Sequence, residues 1–280
     1  MPIHDQSYRR YAGERRPVRS AWMVIARAGL MSFLSRKAFL GLLIVAWIPF
    51  VVRASQLFLA SNFSQAATFL APSAQTFRDF LGQQGIFVFL ITIYVGAGLI
   101  ANDRRANALQ LYLSKPVTRA EYILGKMSVL AVFLLAITWL PAILLLILQI
   151  AFSGSFTFLK DNTSLIASVT LYCLLTVIVI TFGMTALSSL SRSSRFVGIM
   201  FAGVLIFSDA MFNALRFITG STAISWVSVQ ASLDQVGDVI FRQAPRHQTP
   251  VAVSFLVLLA VVVLSASVLE RRVRGVEVVA

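Results

Sequence analysis

Charged residues and cysteine are both scarce in this chain of 280 residues. Charged residues make up 12% of it, against roughly a quarter in an average soluble domain, while hydrophobic residues reach 58%. A soluble fold of this size could not cover so much apolar surface with polar groups. We therefore expect lipid to be the solvent for most of the chain. The single cysteine, Cys173, excludes an intrachain disulfide.

Signs of enzyme chemistry are also missing. Gly125-Lys126 does not belong to a phosphate-binding loop, because Ala120 replaces the first glycine and Met127 follows the lysine. With two histidines and one cysteine, the sequence contains neither a His-Glu-x-x-His helix nor a Cys/His cluster for a metal. We expect a protein that is not an enzyme and that binds no metal or cofactor itself.

Six apolar runs are present, and crossing roughly 30 Å of hydrocarbon takes about 20 helical residues. They predict an all-α integral membrane protein with six transmembrane helices. The first run is the shortest, with 15 charge-free residues that include Pro49, and Pro141 lies within the third. Both prolines predict kinks. The predicted membrane domain covers residues 38–270, with spans at about 38–56, 85–102, 122–152, 164–190, 196–215 and 250–270.

Basic residues are distributed unevenly between the two sides of these spans. Eighteen of the 24 lysines and arginines fall on the side that holds both termini, which the positive-inside rule places in the cytoplasm. The net charge of +13 does not indicate nucleic acid, because the cations border helix ends where they meet anionic lipid headgroups. Residues 1–37 and 271–280 are thus a cytoplasmic N-terminal segment and a cytoplasmic tail.

Residues 20–37 of the N-terminal segment have apolar side chains at helical spacing, among them Trp22, Ile25 and Phe33. The pattern predicts an amphipathic helix lying flat at the inner interface. A buried first helix is the alternative, because further apolar residues widen its apolar face.

The most informative segment joins spans two and three and extends from Asp103 to Lys126. Thr118 and Glu121 have the spacing of a capping box, so we expect the third helix to begin at Arg119.

Upstream, Pro116 disfavours a helical conformation at Lys115, which would end a short helix running from about Asp103 to Ser114. Two helical pieces around a proline predict a rigid element that a soluble partner can contact. An ordinary connecting loop and a helix lying on lipid headgroups are the alternatives.

This segment resembles the cytoplasmic loop of ATP-binding cassette (ABC) transporter permeases of the type-2 export branch. That loop has a Gly-rich helix end, an acidic-Arg-Arg stretch, a Leu-rich helix, a Ser-x-Pro break and a Gly-Lys pair. The corresponding residues are Gly96-Ala97-Gly98-Leu99-Ile100, Asp103-Arg104-Arg105, Leu109-Gln110-Leu111-Tyr112-Leu113, Ser114-Lys115-Pro116-Val117 and Gly125-Lys126. The chain departs from the family where Asp103 replaces a frequent Glu and Asn107-Ala108 replaces a frequent Gly-Thr.

The resemblance implies a coupling helix that rests in a groove of a soluble ABC ATPase subunit. ATP and Mg would be bound by that partner. The residues it assigns to the contact are Asp103, Arg104, Arg105, Leu109, Tyr112, Leu113, Ser114, Lys115, Pro116, Arg119 and Glu121. It further implies a permease subunit of an exporter in a bacterial cytoplasmic membrane, paired with a second copy or a sister permease.

Asp209 is the one acid deep within a predicted span. An ionisable group at the centre of a membrane helix costs about 2.5–3.5 kcal/mol, so its side chain should face protein or water. Asp209 is therefore our candidate for a polar point on a transport path. The alternative is a structural aspartate paired with Ser208, Asn213 or Arg216.

Two other functions compete with the permease of an ABC exporter. One is a secondary transporter or channel driven by an ion gradient, but such proteins usually carry several intramembrane charges. The other is a membrane scaffold or membrane enzyme, and the missing catalytic clusters argue against the enzyme only.

Overall fold

The computed structural model of the chain describes residues 21–63, 73–108, 117–153 and 163–273, and the regular structure of these ranges is helical. We number the α-helices in chain order. They are α1 (Ala21–Leu34), α2 (Lys37–Ala46), α3 (Ile48–Asn62), α4 (Ala74–Gln83), α5 (Gly85–Ile91), α6 (Ala101–Arg105), α7 (Arg119–Ile137), α8 (Trp139–Ser153), α9 (Leu165–Leu190), α10 (Ser194–Thr219), α11 (Val229–Ile240) and α12 (Val251–Arg272). A π-helix covers Thr92–Gly96 and a 3-10 helix covers Ser225–Val227.

Six helical stretches in the described ranges are long and apolar enough to cross a membrane, which confirms the number of long apolar helices that the sequence predicts. Spans one to six are Lys37–Asn62, Ala74–Arg105, Arg119–Phe152, Leu165–Leu190, Ser194–Thr219 and Val251–Arg272. Span two begins well before residue 85 because Ser73 and Thr76 form a capping box that starts α4.

Helices are interrupted near both prolines for which the sequence predicts kinks. Span one is divided at Trp47, with Pro49 in the first turn of α3. Span three is divided at Thr138, three residues before Pro141. A proline has no amide hydrogen for the carbonyl four residues earlier, so the regular bonding pattern cannot continue through it.

The interior of the bundle is built mainly by the three middle spans. In the most apolar 18 residues of each span, the buried share is 56% for span two and 50% for spans three and four. It is only 11%, 22% and 17% for spans one, five and six. The largest apolar cluster includes Val95, Leu130 and Met184, one from each middle span. Gly96 allows this contact, since a Cβ atom there would lie 2.5 Å from Met184 Cγ.

Helix α1 packs along α7 at the start of span three. A Cβ atom on Gly125 would lie 2.9 Å from the Trp22 carbonyl oxygen and 2.9 Å from Ile25 Cβ, so this glycine permits a close approach. Ala26 is the buried residue of α1, and Met23 and Val24 are exposed. The helix thus rests on the bundle with one narrow face and leaves its other faces outside.

The spans create two distinct ends. The elbow end is the end that holds α6, the start of α7 and the turn 191–193. The cap consists of α11 and the return segment 241–250. The cap end is the opposite end of the bundle, where α4 contacts the cap.

Candidate functional site

The last part of span two is irregular at the elbow end. The π-helix Thr92–Gly96 is followed by a turn at 97–100 and then by the short helix α6. Single π-helical turns within α-helices are rare and often lie at functional sites. The change of helix type leaves backbone groups that need other partners.

Ser188 of span four supplies those partners and is fully buried. Its Oγ accepts hydrogen bonds from the amides of Ile100 at 3.0 Å and Ala101 at 3.1 Å. The same hydroxyl donates to the carbonyl of Ala97 at 3.0 Å. One side chain therefore fastens the irregular turn of span two to span four.

Asp103 joins the end of span two to the start of span three. Its Oδ2 accepts a hydrogen bond from the Tyr122 hydroxyl at 2.7 Å and forms an ion pair with Lys126 Nζ at 2.7 Å. The neighbouring Arg104 guanidinium donates to the carbonyl of Ser189 in span four. Two of the predicted contact residues thus connect spans two, three and four at one point.

The capping box that the sequence predicts at the start of span three is confirmed. The Glu121 amide donates to Thr118 Oγ1 at 3.2 Å, and the Thr118 amide donates to Glu121 Oε2 at 3.0 Å. The helix begins at Arg119, and the side chains of Arg119 and Arg105 are both exposed.

The short helix that the sequence predicts from about Asp103 to Ser114 is not continuous in its described part, which ends at residue 108. Helix α6 spans only Ala101–Arg105, and a turn follows in which Asn107 has a φ of 52°. Asparagine is among the few non-glycine residues that adopt this left-handed conformation readily, and a glycine fits it equally. The predicted contact residues Leu109, Tyr112, Leu113, Ser114, Lys115 and Pro116 lie outside the described residues.

A cavity of about 600 Å³ lies between spans two to five, and α11 contributes to its wall on the side of the cap. Its wall is mainly apolar and includes a stacked pair of rings, Phe89 and Phe201, with centroids 6.2 Å apart. The polar residues in the wall are Thr138, Tyr172, Thr176, Asp209 and Gln230.

Asp209 is half-buried in this wall, far from the elbow. Its Oδ2 accepts from Asn213 Nδ2 at 3.2 Å, as the structural alternative expected, and its Oδ1 accepts from Ser228 Oγ at 3.2 Å. Ser208 donates instead to the carbonyl of Leu205. Of the three alternative partners, Asn213 is therefore the one that bonds to the Asp209 carboxylate, and no ion pair with Arg216 forms among the described residues.

At the cap end, the fully buried Arg78 ties α4 to α11. Its Nη2 donates to Asp234 Oδ1 at 2.8 Å and its Nε to Asp238 Oδ1 at 3.2 Å, while its guanidinium carbon lies 4.6 Å from the centroid of the Tyr172 ring. Arg246 completes the cluster with a 3.0 Å ion pair to Asp238. Burial raises the pKa of Asp238, and the two guanidiniums oppose the rise.

Gln235 holds the return segment of the cap against α11. Its Nε2 donates to the carbonyls of His247 at 2.9 Å and Thr249 at 2.8 Å, and its Oε1 accepts from the His247 amide at 3.0 Å. The His247 ring packs edge-on against Phe212 of span five. Burial lowers the pKa of the His247 imidazole.

Sequence analysis missed the Arg78 cluster. A signal was present, because Asp234 and Asp238 stand four residues apart and so share a face of a helix that Ser228 can cap. Their partner Arg78 lies about 160 residues earlier, and no local spacing indicates that pairing.

The profile of a family described as "ABC-2 family transporter protein" matches residues 50–272, which extend from span one to the end of span six. No curated protein sequence matches the chain. In the described part of the chain, no group of three or more His, Cys, Asp or Glu side chains is placed to hold a metal ion.

Proposed function

The chain belongs to the ABC-2 transporter family as a membrane permease component, and we propose that it is the permease subunit of an exporter with its elbow and both termini in the cytoplasm. It is a multi-pass integral membrane protein, and permeases of this family lack an ATPase domain. ATP hydrolysis therefore takes place in a partner subunit. The membrane is, by the family resemblance, a bacterial cytoplasmic membrane.

The elbow is the proposed contact with the ATPase. The observation that carries this proposal is the joint at Asp103, which binds both Tyr122 and Lys126 of span three. Ser188 and the Arg104–Ser189 contact extend the joint to span four. Because these three spans form most of the interior, a displacement of the elbow would move the core of the bundle as one body.

The orientation is supported by the charges at the elbow end. Exposed cations are numerous at this end of the bundle, whereas at the cap end Asp234 and Asp238 neutralise Arg78 and Arg246 and leave Arg216 and Arg242 exposed. The exposed elbow-end cations include Arg36, Arg105, Arg119, Arg192, Arg195, Arg271 and Arg272. Cytoplasmic loops carry such an excess of Lys and Arg, and anionic headgroups there attract them.

We further propose that the chain pairs with a second copy of itself or with a sister permease. Spans one, five and six bury few of their residues within one chain, so they leave long apolar faces. Those faces are available to lipid and to a second membrane subunit alike.

Charge reversal at the elbow tests the proposal. We expect the tagged wild-type chain, purified from its own cells in mild detergent, to carry a soluble ATPase with a phosphate-binding loop. A chain with Arg105→Glu and Arg119→Glu should lose it, because glutamates at these two exposed positions would repel acidic side chains of the partner's groove, which the arginines attract. Arg216→Glu, an exposed arginine in the last turn of α10 at the cap end, is the matched control and should keep it.

Two outcomes would contradict the proposal. Retention of the ATPase at the wild-type level by the doubly reversed chain would exclude the elbow as the contact. Transport by the purified chain in proteoliposomes under an ion gradient, with no ATPase present, would instead indicate an ion-driven transporter.

A further inference from the structure

We propose that the cavity between spans two to five binds an amphipathic organic cation whose charged group pairs with Asp209. The inference deepens the proposed function, on which it rests, by naming the chemical class of the transported molecule. The carboxylate is a site residue for the ligand and lies in the wall of the cavity.

The volume and the apolar wall favour an organic ligand. A cavity of about 600 Å³ is within the range of about 300–1,000 Å³ that is usual for small-molecule sites. Most of its wall consists of side chains such as Leu81, Ile180 and Leu205. A bare inorganic ion would leave this apolar surface without a partner, whereas an apolar body fills it.

The carboxylate of Asp209 favours a positive charge on that ligand. Its two oxygens accept one hydrogen bond each from neutral donors, Asn213 and Ser228, and an ionised carboxylate has about four acceptor positions. None of the ion pairs among the described residues includes Asp209, so its negative charge has no partner cation there. Such a charge attracts a cation and repels an anion, and both effects grow as a bound ligand excludes water.

The nearby cations of the cap are engaged elsewhere. Arg78 and Arg246 pair with Asp234 and Asp238, so that cluster is neutral. No ion pair joins Arg216 to Asp209 in the described part of the chain, although both belong to α10. The cap therefore does not supply the charge that Asp209 lacks.

The aromatic wall adds a second preference for a cation. The rings of Phe89 and Phe201 lie in the cavity wall, stacked with an interplanar angle of 26°. The face of an aromatic ring attracts a cation within about 6 Å of its centroid. Carboxylate and aromatic faces together suit a delocalised or substituted ammonium or phosphonium group.

The test uses two probes of nearly the same shape and opposite charge, tetraphenylphosphonium and tetraphenylborate. Each is titrated into purified chain in detergent, with the matched detergent blank subtracted. We expect wild type to bind the phosphonium, and Asp209→Asn to bind it about tenfold or more weakly, as expected for one lost charge-assisted contact. Tetraphenylborate should not lose affinity in that variant.

Two further variants separate the charge effect from misfolding. Asp209→Glu keeps the charge and should retain the preference for the phosphonium. Gln230→Glu adds a second carboxylate from an exposed position in the same wall and should tighten phosphonium binding. All variants are compared at equal elution volume and unfolding temperature.

Equal binding of the two probes by wild type would overturn the inference, and so would unchanged phosphonium binding by Asp209→Asn. Neither result would contradict the proposed function, because the binding assay contains no ATPase and does not test the contact at the elbow. Conversely, loss of ATPase contact at the elbow is measured without any ligand, so the two proposals fail separately.

Discussion

Ser188 shows how much a single hydroxyl can contribute at the residue scale. It satisfies two amides and one carbonyl in an irregular, buried part of span two. A buried backbone group without a partner costs about 1–3 kcal/mol, more than the net gain from a typical hydrogen bond. Ser188 thus stabilises the folded state more through the backbone groups it satisfies than through the packing of its own side chain.

We expect Ser188→Ala to loosen the elbow end. Hydrogen exchange at residues 97–105 should become faster, and the free energy of unfolding should fall by about 2 kcal/mol or more because three backbone groups lose their partner. Ser267→Ala is the matched control, since that exposed hydroxyl bonds only to the Val263 carbonyl of its own helix. Equal exchange rates in both variants would show that Ser188 does not hold the turn.

His247 gives the cap a dependence on pH. Burial lowers its pKa, Asp234 and Asp238 oppose that effect, and Arg216 and Arg246 reinforce it. The folded pKa then lies below the ordinary value of about 6.5, so the unfolded chain binds more protons between the two values. The stability that comes from the neutral ring is complete above about pH 6.5 and is lost as the pH falls toward the folded pKa.

We therefore expect the unfolding temperature of the wild-type chain to drop as the pH falls from 7.5 to 5.5, and part of this drop to be absent in His247→Gln. The measurement is thermal unfolding in detergent at both pH values. Parallel curves for the two proteins would show that another group is responsible.

At the element scale, the contact between the cap and α4 is made by buried ion pairs. Removing one partner of a buried ion pair costs about 3–5 kcal/mol, because the other charge stays buried without compensation. Arg78 and Asp238 are both fully buried, and Gly237 leaves room for the Tyr172 ring and the Arg78 guanidinium beside α11.

We expect Arg78→Met to lower the unfolding free energy by about 3 kcal/mol, and Arg78→Met with Asp238→Asn to recover part of this loss. Arg78→Met leaves the fully buried Asp238 carboxylate with the exposed Arg246 alone, and the double variant replaces that carboxylate with a neutral amide. Arg242→Met, at an exposed position of the cap, serves as the control for losing one cation. Strict additivity of the two single changes in chemical unfolding would contradict the pairing.

Elements that rest on local spacing were predictable, and those that rest on distant partners were not. The capping box at Thr118 needs only residues three apart, and the sequence places it correctly. The irregular end of span two was not predicted, because its turn at 97–101 is held by hydrogen bonds with Ser188 of another span. The Asp209 bond to Asn213 follows from helical spacing, whereas the bond from Ser228 arises only when the cap folds over span five.

For the whole molecule, hydropathy was sufficient to predict the six long apolar helices, since lipid demands about 20 apolar residues for each crossing. It did not indicate which spans form the interior. That distinction requires knowing which faces meet, and apolar residues serve equally well against lipid and against protein.

Single cysteines report the orientation of the whole bundle. A membrane-impermeant maleimide added to intact cells should label Ala244→Cys in the cap but label Arg119→Cys at the elbow only after permeabilisation. Both positions are exposed, and the native Cys173 is buried, so its background should be low. The reverse pattern would place the elbow outside and contradict its proposed contact with a soluble ATPase.

The three spans with the most buried residues follow one another directly in the sequence, between residues 74 and 190. When span four has been synthesised, most of the interior is therefore present while spans five and six are still to be made. Contacts between sequence neighbours form quickly, and long proteins generally assemble from the N-terminal side during synthesis. Biogenesis of this protein is thus expected to begin with a closed three-span nucleus, onto which the last two spans dock as they emerge.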